Sequence, residues 1–304
     1  MRNKNSDLIS VIVPCFNSGK TLDRALNSII VQTWDQKEII LVNDGSTDKY
    51  TLERIDKFKK NKNIIVINQP NLGLSAARNK GCKYAHGDYL YFIDSDDWIE
   101  PETLELMYTK IKNNKKIAFV FSDLIIEGNF RKVIEKEYNF FEQLFINQLP
   151  YSIFISKKTW SKYGGYDENM KLGYEDWELN IRLGSHSQFG VRLAMPLFHY
   201  NVSYSGMLIS KSSKYHAQIY NYIINKNKKL YHYKNLFKNW IIWRKSKSSY
   251  PLIIFLPLFL IINFLPNNLF TAFFIIGRNI KWFFTRNKII IFLKKYLISQ
   301  CLYK

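Results

Sequence analysis

The residues whose types and spacing best suit chemistry are the aspartates of Asp94-Ser95-Asp96-Asp97, which follow the apolar run Tyr89-Leu90-Tyr91-Phe92-Ile93. Carboxylates crowded this closely repel one another unless a cation joins them. Hard divalent ions such as Mg2+ or Mn2+ take oxygen ligands and bridge onward to phosphate oxygens, so the cluster could hold such an ion and, through it, a phosphorylated ligand. The plain alternative is a solvated turn that caps a helix beginning at Pro101. A second acidic group, Glu175-Asp176, opens a helix-length stretch. One of these carboxylates could act as a general base, or the pair could merely favour a helix N-terminus, worth about 0.3 to 1 kcal/mol.

Both groups need a scaffold. From residue 8 onward, short β-branched runs alternate with amphipathic stretches of helical length, the pattern of βαβ units around a parallel sheet. Strands are expected over 8–16, 37–45, 63–69, 88–97 and 116–127. Helices are expected from Lys20, after a cap at Thr47 or Asp48, over 74–85 with Gly87 closing it in a left-handed conformation, and from Pro101 to about Asn113. The first four strands end at polar residues: Pro14 to Asn17, Asn43 and Asp44, Gln69 and Asn71, and Asp94 to Asp97. In open parallel sheets ligands lie beyond the carboxyl ends of the strands, so these segments should meet along one edge. Neither GxGxxG nor GxxxxGK[ST] occurs, which leaves a cation as the means of neutralising a diphosphate.

Five segments in order, VIVPCFN (11–17), IILVNDGSTD (39–48), NLGLSAARNKG (71–81), GDYLYFIDSDDW (87–98) and GYEDWELNIRL (173–183), resemble the successive motifs of family 2 inverting glycosyltransferases. The resemblance covers roughly residues 8–207 and implies the GT-A fold, a Rossmann-like, mostly parallel sheet flanked by helices. It implies transfer from a nucleoside-diphosphate sugar to a glycan or lipid-linked acceptor in surface-polysaccharide synthesis. By the same match, Pro14, Phe16 and Asn17 border the base, Phe16 standing where a tyrosine is usual, and Asp44 hydrogen-bonds the pyrimidine. Arg78 belongs to the segment reaching toward the diphosphate. Asp94 and Asp96 match the DXD aspartates, with Asp96 as metal ligand and Asp97 its near rival; His199 is a further candidate near the metal. Asp176 matches the general base, with Glu175 as runner-up. Asn43 stands where the family often has a first aspartate, so one contact to ribose or base becomes neutral. Trp177 is read as a core anchor in preference to a sugar platform.

Charge divides the 304 residues unevenly. All 25 Asp and Glu lie in residues 1–178 beside 25 of the 44 Lys and Arg, while residues 179–304 carry the other 19 bases and no acid. The expected organisation is a catalytic domain over 1–210, its nucleotide-binding half ending near 100 and its acceptor half following, and a helical, basic region over 211–304. A basic segment rich in Tyr, Phe and Ile suits an anionic membrane surface. Between Lys247 and Arg278 lie 30 residues without charge, long enough to span a bilayer but interrupted by Pro251, Pro257 and Pro266. Helices lying in the interface, held by Lys226 to Lys229, Arg244 to Lys247 and Arg286 to Lys295, are therefore preferred over a hairpin inserted at 251–276 or a dimerisation surface. The protein is expected to be cytoplasmic and peripheral on the inner membrane face. Cys15, Cys82 and Cys301 lack metal-ligand spacing and read as reduced and structural. The competing functional classes are a non-catalytic sugar-nucleotide binder and an anionic-lipid or RNA-binding protein. Nucleic acid is disfavoured by the uncharged run.

Overall fold

The computed structural model describes residues 7–114, 116–128, 131–202, 212, 214–266 and 269–271. Its elements, in chain order, are β1 (Ile9–Cys15), α1 (Gly19–Ile30), β2 (Lys37–Asp44), α2 (Lys49–Phe58), β3 (Ile64–Gln69), α3 (Leu74–Tyr84), β4 (Tyr89–Phe92), β5 (Trp98–Ile99), α4 (Thr103–Lys112), β6 (Phe119–Glu127), β7 (Lys132–Ile134) and α5 (Phe140–Gln143). Then follow β8 (Phe154–Ser156), α6 (Lys157–Lys162), α7 (Glu175–Ser185), β9 (Gly190–Asn201), α8 (His216–Lys226), α9 (Lys228–Tyr231), α10 (Tyr233–Trp243), a 3-10 turn (Leu252–Phe255) and α11 (Leu256–Ile261).

The strands form one sheet in the order β3-β2-β1-β4-β8-β6-β9-β5, with β7 beside β6. β3, β2, β1 and β4 are mutually parallel, as the alternation of strand and helix demands. β8 runs antiparallel to both β4 and β6, while β9 lies parallel to β6 and antiparallel to the two-residue β5. Every residue of β1 is buried, as expected of a central strand covered on both faces. Alternate residues feed two cores. Ile9, Val11 and Val13 pack with Leu22, Leu26, Ile55 and Leu104 beneath α1, α2 and α4, whereas Ile12, Ile40 and Val42 face Ala77, Phe141 and Leu179 on the other side.

Of two local expectations, one holds and one changes. Asp48 does cap α2, its carboxylate accepting the Thr51 amide at 2.8 Å. Gly87, however, does not close α3 in a left-handed conformation; α3 ends at Ala85 in extended backbone. Glycine is needed at 87 because a Cβ there would meet the Leu8 carbonyl oxygen at 2.5 Å and the Ser10 nitrogen at 2.9 Å.

The core runs on without a break across the expected division near residue 210. Ile219, Tyr220, Ile223, Tyr231, Leu236, Phe255, Phe259 and Ile262 belong to the same cluster as Phe141, Trp177 and Leu179. Phe255 stacks on Phe145 with ring centres 5.3 Å apart, and the Tyr220 and Tyr231 hydroxyls both donate to the Leu144 carbonyl. Among the described residues no helix is long and apolar enough to cross a membrane. The uncharged run is instead folded in part as the 3-10 turn and α11, with Phe255, Phe259 and Ile262 turned inward. The expected lipid contact at Arg286 to Lys295, residues 272–276 of the hairpin and Cys301 lie outside the described residues. Phe255→Ala should cost about 3 to 5 kcal/mol in chemical denaturation; an unchanged midpoint would mean that this segment hangs free of the catalytic core.

Candidate active site

Because β1, β2 and β4 are parallel neighbours, their carboxyl ends open on one edge, and the connections there are tied side chain by side chain. Asn17, with φ at 48°, accepts the Thr47 and Asp48 amides on its Oδ1 at 2.8 and 3.2 Å, joining the end of β1 to the start of α2. Pro14 is buried within β1 beside Val42, and Phe16 projects with 47% exposure. Asp44 is 4% exposed; its carboxylate accepts from Gln69 Nε2 at 2.8 Å and from the Leu72 and Gly73 amides at 2.9 and 3.0 Å. It therefore fixes the turn into α3. Asn43 does a similar task, donating to Asn68 and accepting the Ser46 amide.

Beyond β4, the carboxylates of Asp94, Asp96 and Asp97 offer oxygens that all lie within 4.8 Å of one another. Their surroundings separate their roles. Asp97 is 1% exposed and held by donors on both oxygens, the Tyr151 hydroxyl and the Asn201 amide. Burial first, then Asp96 and Asp94, pushes its carboxyl well above the usual range. Asp94 gives one oxygen to Arg78 at 2.7 Å, and its amide donates to Tyr151. Asp96 is half-buried, and no side chain among the described residues donates to its carboxylate, while burial and Asp94 push it up to about 6. Crowded hard oxygens, those of Asp96 without a side-chain donor, fit a divalent cation.

Arg78, fully buried on α3, donates to Asp94 through one terminal nitrogen and to Glu175 through the other at 2.5 Å. Its guanidinium lies 4.7 Å from the ring centre of Tyr151 and 5.3 Å from that of Tyr166. Glu175 begins α7, and the chain enters that helix through two left-handed residues, Gly173 at φ 104° and Tyr174 at φ 62°. This entry turns the first helical turn back toward β4. Glu175 is buried, and desolvation raises its carboxyl against the pull of Arg78. Asp176 is half-buried, accepts from Asn147 Nδ2 at 3.2 Å, and is raised by burial. Trp177 is fully buried, donating to the Gln143 carbonyl at 2.6 Å and stacked on Tyr220 of α8 at 5.2 Å. It is a core anchor.

The structure thus brings Arg78, Asp94, Asp96, Asp97, Glu175 and Asp176 to one edge, with Asn17, Asp44 and Phe16 on the adjoining strand ends. His199 does not join them as a ligand. It is fully buried on β9, its two ring nitrogens lie 2.8 and 3.0 Å from Glu100 and Glu127, and its ring stacks on Trp98. With both nitrogens engaged by carboxylates, its place is behind the aspartate loop as support. Tyr151, Tyr166 and Asn147 escaped the sequence reading. Tyr151 meets Asp94 across 57 residues of chain, and no spacing rule marks such a partner.

Comparison with known proteins bears on this geometry. The model of "Glycosyl transferase family 2" matches residues 10–170. Glycosyltransferase GlyA of Streptococcus pneumoniae is 43% identical over 136 residues, 44% of this chain and 18% of that protein. Glycosyltransferase GlyG of the same organism is 38% identical over 138 residues, 45% of this chain and 43% of that protein, so the matched region spans less than half of either relative. The crystal structure of S. aureus TarS 1-349 in complex with UDP-GlcNAc superposes with a TM-score of 0.61 at 20% identity, covering 79% of this chain and 74% of that one. That likeness is one of fold, the mostly parallel GT-A sheet with helices on both faces. With a family match over more than half of its length, the chain belongs to glycosyl transferase family 2.

Proposed function

We propose that this glycosyltransferase moves a sugar, with inversion, from a nucleoside diphosphate to a hydroxyl of a glycan or lipid-linked acceptor in cell-surface polysaccharide synthesis, and that the donor is a UDP-sugar. The observation that carries the reading is the Arg78 clasp, which sets the DXD aspartate Asp94 and the first turn of α7 on two nitrogens of one guanidinium. A leaving-group corner and a proton acceptor then face one crevice. Support for the donor comes from TarS, a fold relative crystallised with UDP and with UDP-GlcNAc.

In this reading Pro14, Phe16, Asn17 and Asp44 border the base, and Asp96 is the metal ligand, with Asp94 fixed beside it by Arg78. Mn2+ or Mg2+ at Asp96 would supply positive charge to the departing diphosphate. Asp97, held by Tyr151 and Asn201, keeps the loop in shape. Asp176 takes the proton from the acceptor hydroxyl as that oxygen bonds to the anomeric carbon and the bond to the diphosphate oxygen breaks. Burial raises the Asp176 carboxyl toward the range in which a carboxylate serves as a base. Glu175 is committed to Arg78, which leaves the proton transfer to its neighbour.

Asp96→Ala should abolish metal-dependent UDP binding in titration calorimetry, whereas Asp176→Ala should keep UDP binding and lose transfer by about 100- to 10,000-fold. Transfer at the parent rate in the second variant would remove Asp176 from the mechanism. The rate should fall as pH drops through a value above the ordinary 3.8 of an aspartate, because the base must be ionised. The cation-free fold should behave in the opposite sense. With Asp96 raised from 3.8 to about 6, the folded chain holds a proton that the unfolded chain releases, so this group's contribution to stability declines as pH rises between those values. Mn2+ should accordingly raise the melting temperature more above pH 6 than below it; an equal shift at both would refute Asp96 as the ligand. Arg78→Met, which strands the buried Glu175 carboxylate and the half-buried Asp94, should cost about 3 to 5 kcal/mol in denaturant titration.

A further inference from the structure

We propose that the apolar face shared by α10 and residues 252–264 docks the protein onto an anionic lipid surface, lying on the bilayer without crossing it. On α10, Tyr233, Phe237 and Ile241 recur every four residues and stand 49%, 48% and 43% exposed, a stripe that faces away from the core while Leu236 is buried. Lys234 and Lys238 run alongside it at the same spacing, with Ile242 and Lys245 continuing the pattern. This is the arrangement of an interfacial helix, in which lysine stems lie along the apolar stripe and their ammonium groups reach toward headgroups.

The neighbouring segment repeats the design. Phe255, Phe259 and Ile262 turn into the core, and Ile253, Ile254, Leu260, Ile261 and Phe264 turn out, Phe264 to 85% exposure. The two pieces are joined. Asn263 Oδ1 accepts the Tyr233 amide at 2.9 Å, and Phe237 meets Phe259 with ring centres 6.4 Å apart, so their outward residues form one surface. An apolar patch of this extent calls for an occupant.

Charge selects which one. No Asp or Glu follows Glu178, and Lys234, Lys238, Arg244, Lys245 and Lys247 are all exposed at or beside the patch. A second copy would bring the same bases against these, whereas an anionic headgroup layer neutralises them while the apolar side chains enter the acyl boundary. A nucleic acid would meet the charges but leave Ile253, Leu260 and Phe264 in water. The short 3-10 turn and α11, with Pro257 in the first turn of α11 and both backed by core contacts, keep the segment at the surface.

The test is sedimentation of the full chain with vesicles of phosphatidylglycerol and phosphatidylcholine and with vesicles of phosphatidylcholine alone. The parent protein should bind the first far more strongly than the second. Lys234→Glu with Lys238→Glu should weaken binding by on the order of tenfold or more. Ile253→Asp with Phe264→Asp should abolish it while leaving the melting temperature unchanged, since both side chains are exposed. Failure of the parent to bind anionic vesicles, equal binding to both vesicle types, or full binding by the Asp variant would overturn the proposal. So would a parent dimer in solution that the Asp variant disperses without any vesicle binding, or retention of single-stranded RNA in place of vesicles. UDP binding is measured on the same samples, so a failure of the donor assignment is read separately from a failure to dock.

Discussion

Everything at the catalytic edge hangs on one buried guanidinium. Removing a charge from water is expensive, and Arg78, entirely inside the protein, is tolerated only because two carboxylates from distant parts of the chain complete it. The planar fork lets separate nitrogens serve Asp94 and Glu175, which a lysine could not do. The clasp thereby measures the distance between the end of β4 and the start of α7. Tyr151 and Tyr166 close over the cation, shutting out water and strengthening both pairs.

The three aspartates after β4 show how position, and not residue type, assigns work. Asp97 is spent on the fold, held on both oxygens. Asp94 is shared between the fold and the crevice. Asp96, among the described residues, takes no side-chain donor on its carboxylate and bears the electrostatic strain of its neighbours. The same contrast recurs at α7, where Glu175 is locked to Arg78 and Asp176 takes a long side-chain bond from Asn147 with support from backbone amides of the first turn.

Local pattern made the first half of the molecule legible. Strand ends, helix starts and the acidic cluster follow from period and turn chemistry within a few residues of chain, and the family match at residues 10–170 covers that region. The match stops before Glu175 and Asp176, so the role proposed for Asp176 rests on position in the fold. What stayed hidden was non-local. The antiparallel β8, the two-residue β5, Tyr151 beneath Arg78, and the carboxylate pair that occupies His199 are set by chain crossings that no spacing encodes. The basic tail misled in another way. Its composition sets it apart from the rest of the chain, yet Tyr220 and Phe255 are core residues, because charge describes the surface of a helix and packing depends on the opposite face.

The two cores have different chain requirements. Among the described residues, the buried members of the cluster beneath α1, α2 and α4 end at Phe198, with Tyr200 packed against them, whereas the one behind Trp177 draws on residues as far as Phe270. A chain emerging from its N-terminus can therefore seal one side of the sheet while the other still lacks Tyr220 and Phe255. The wall that seats the first turn of α7 is the last part to be supplied. Packing around the first turn of α7 is thus deferred until residues near 270 have been made, whereas the side of the sheet beneath α1, α2 and α4 can close earlier.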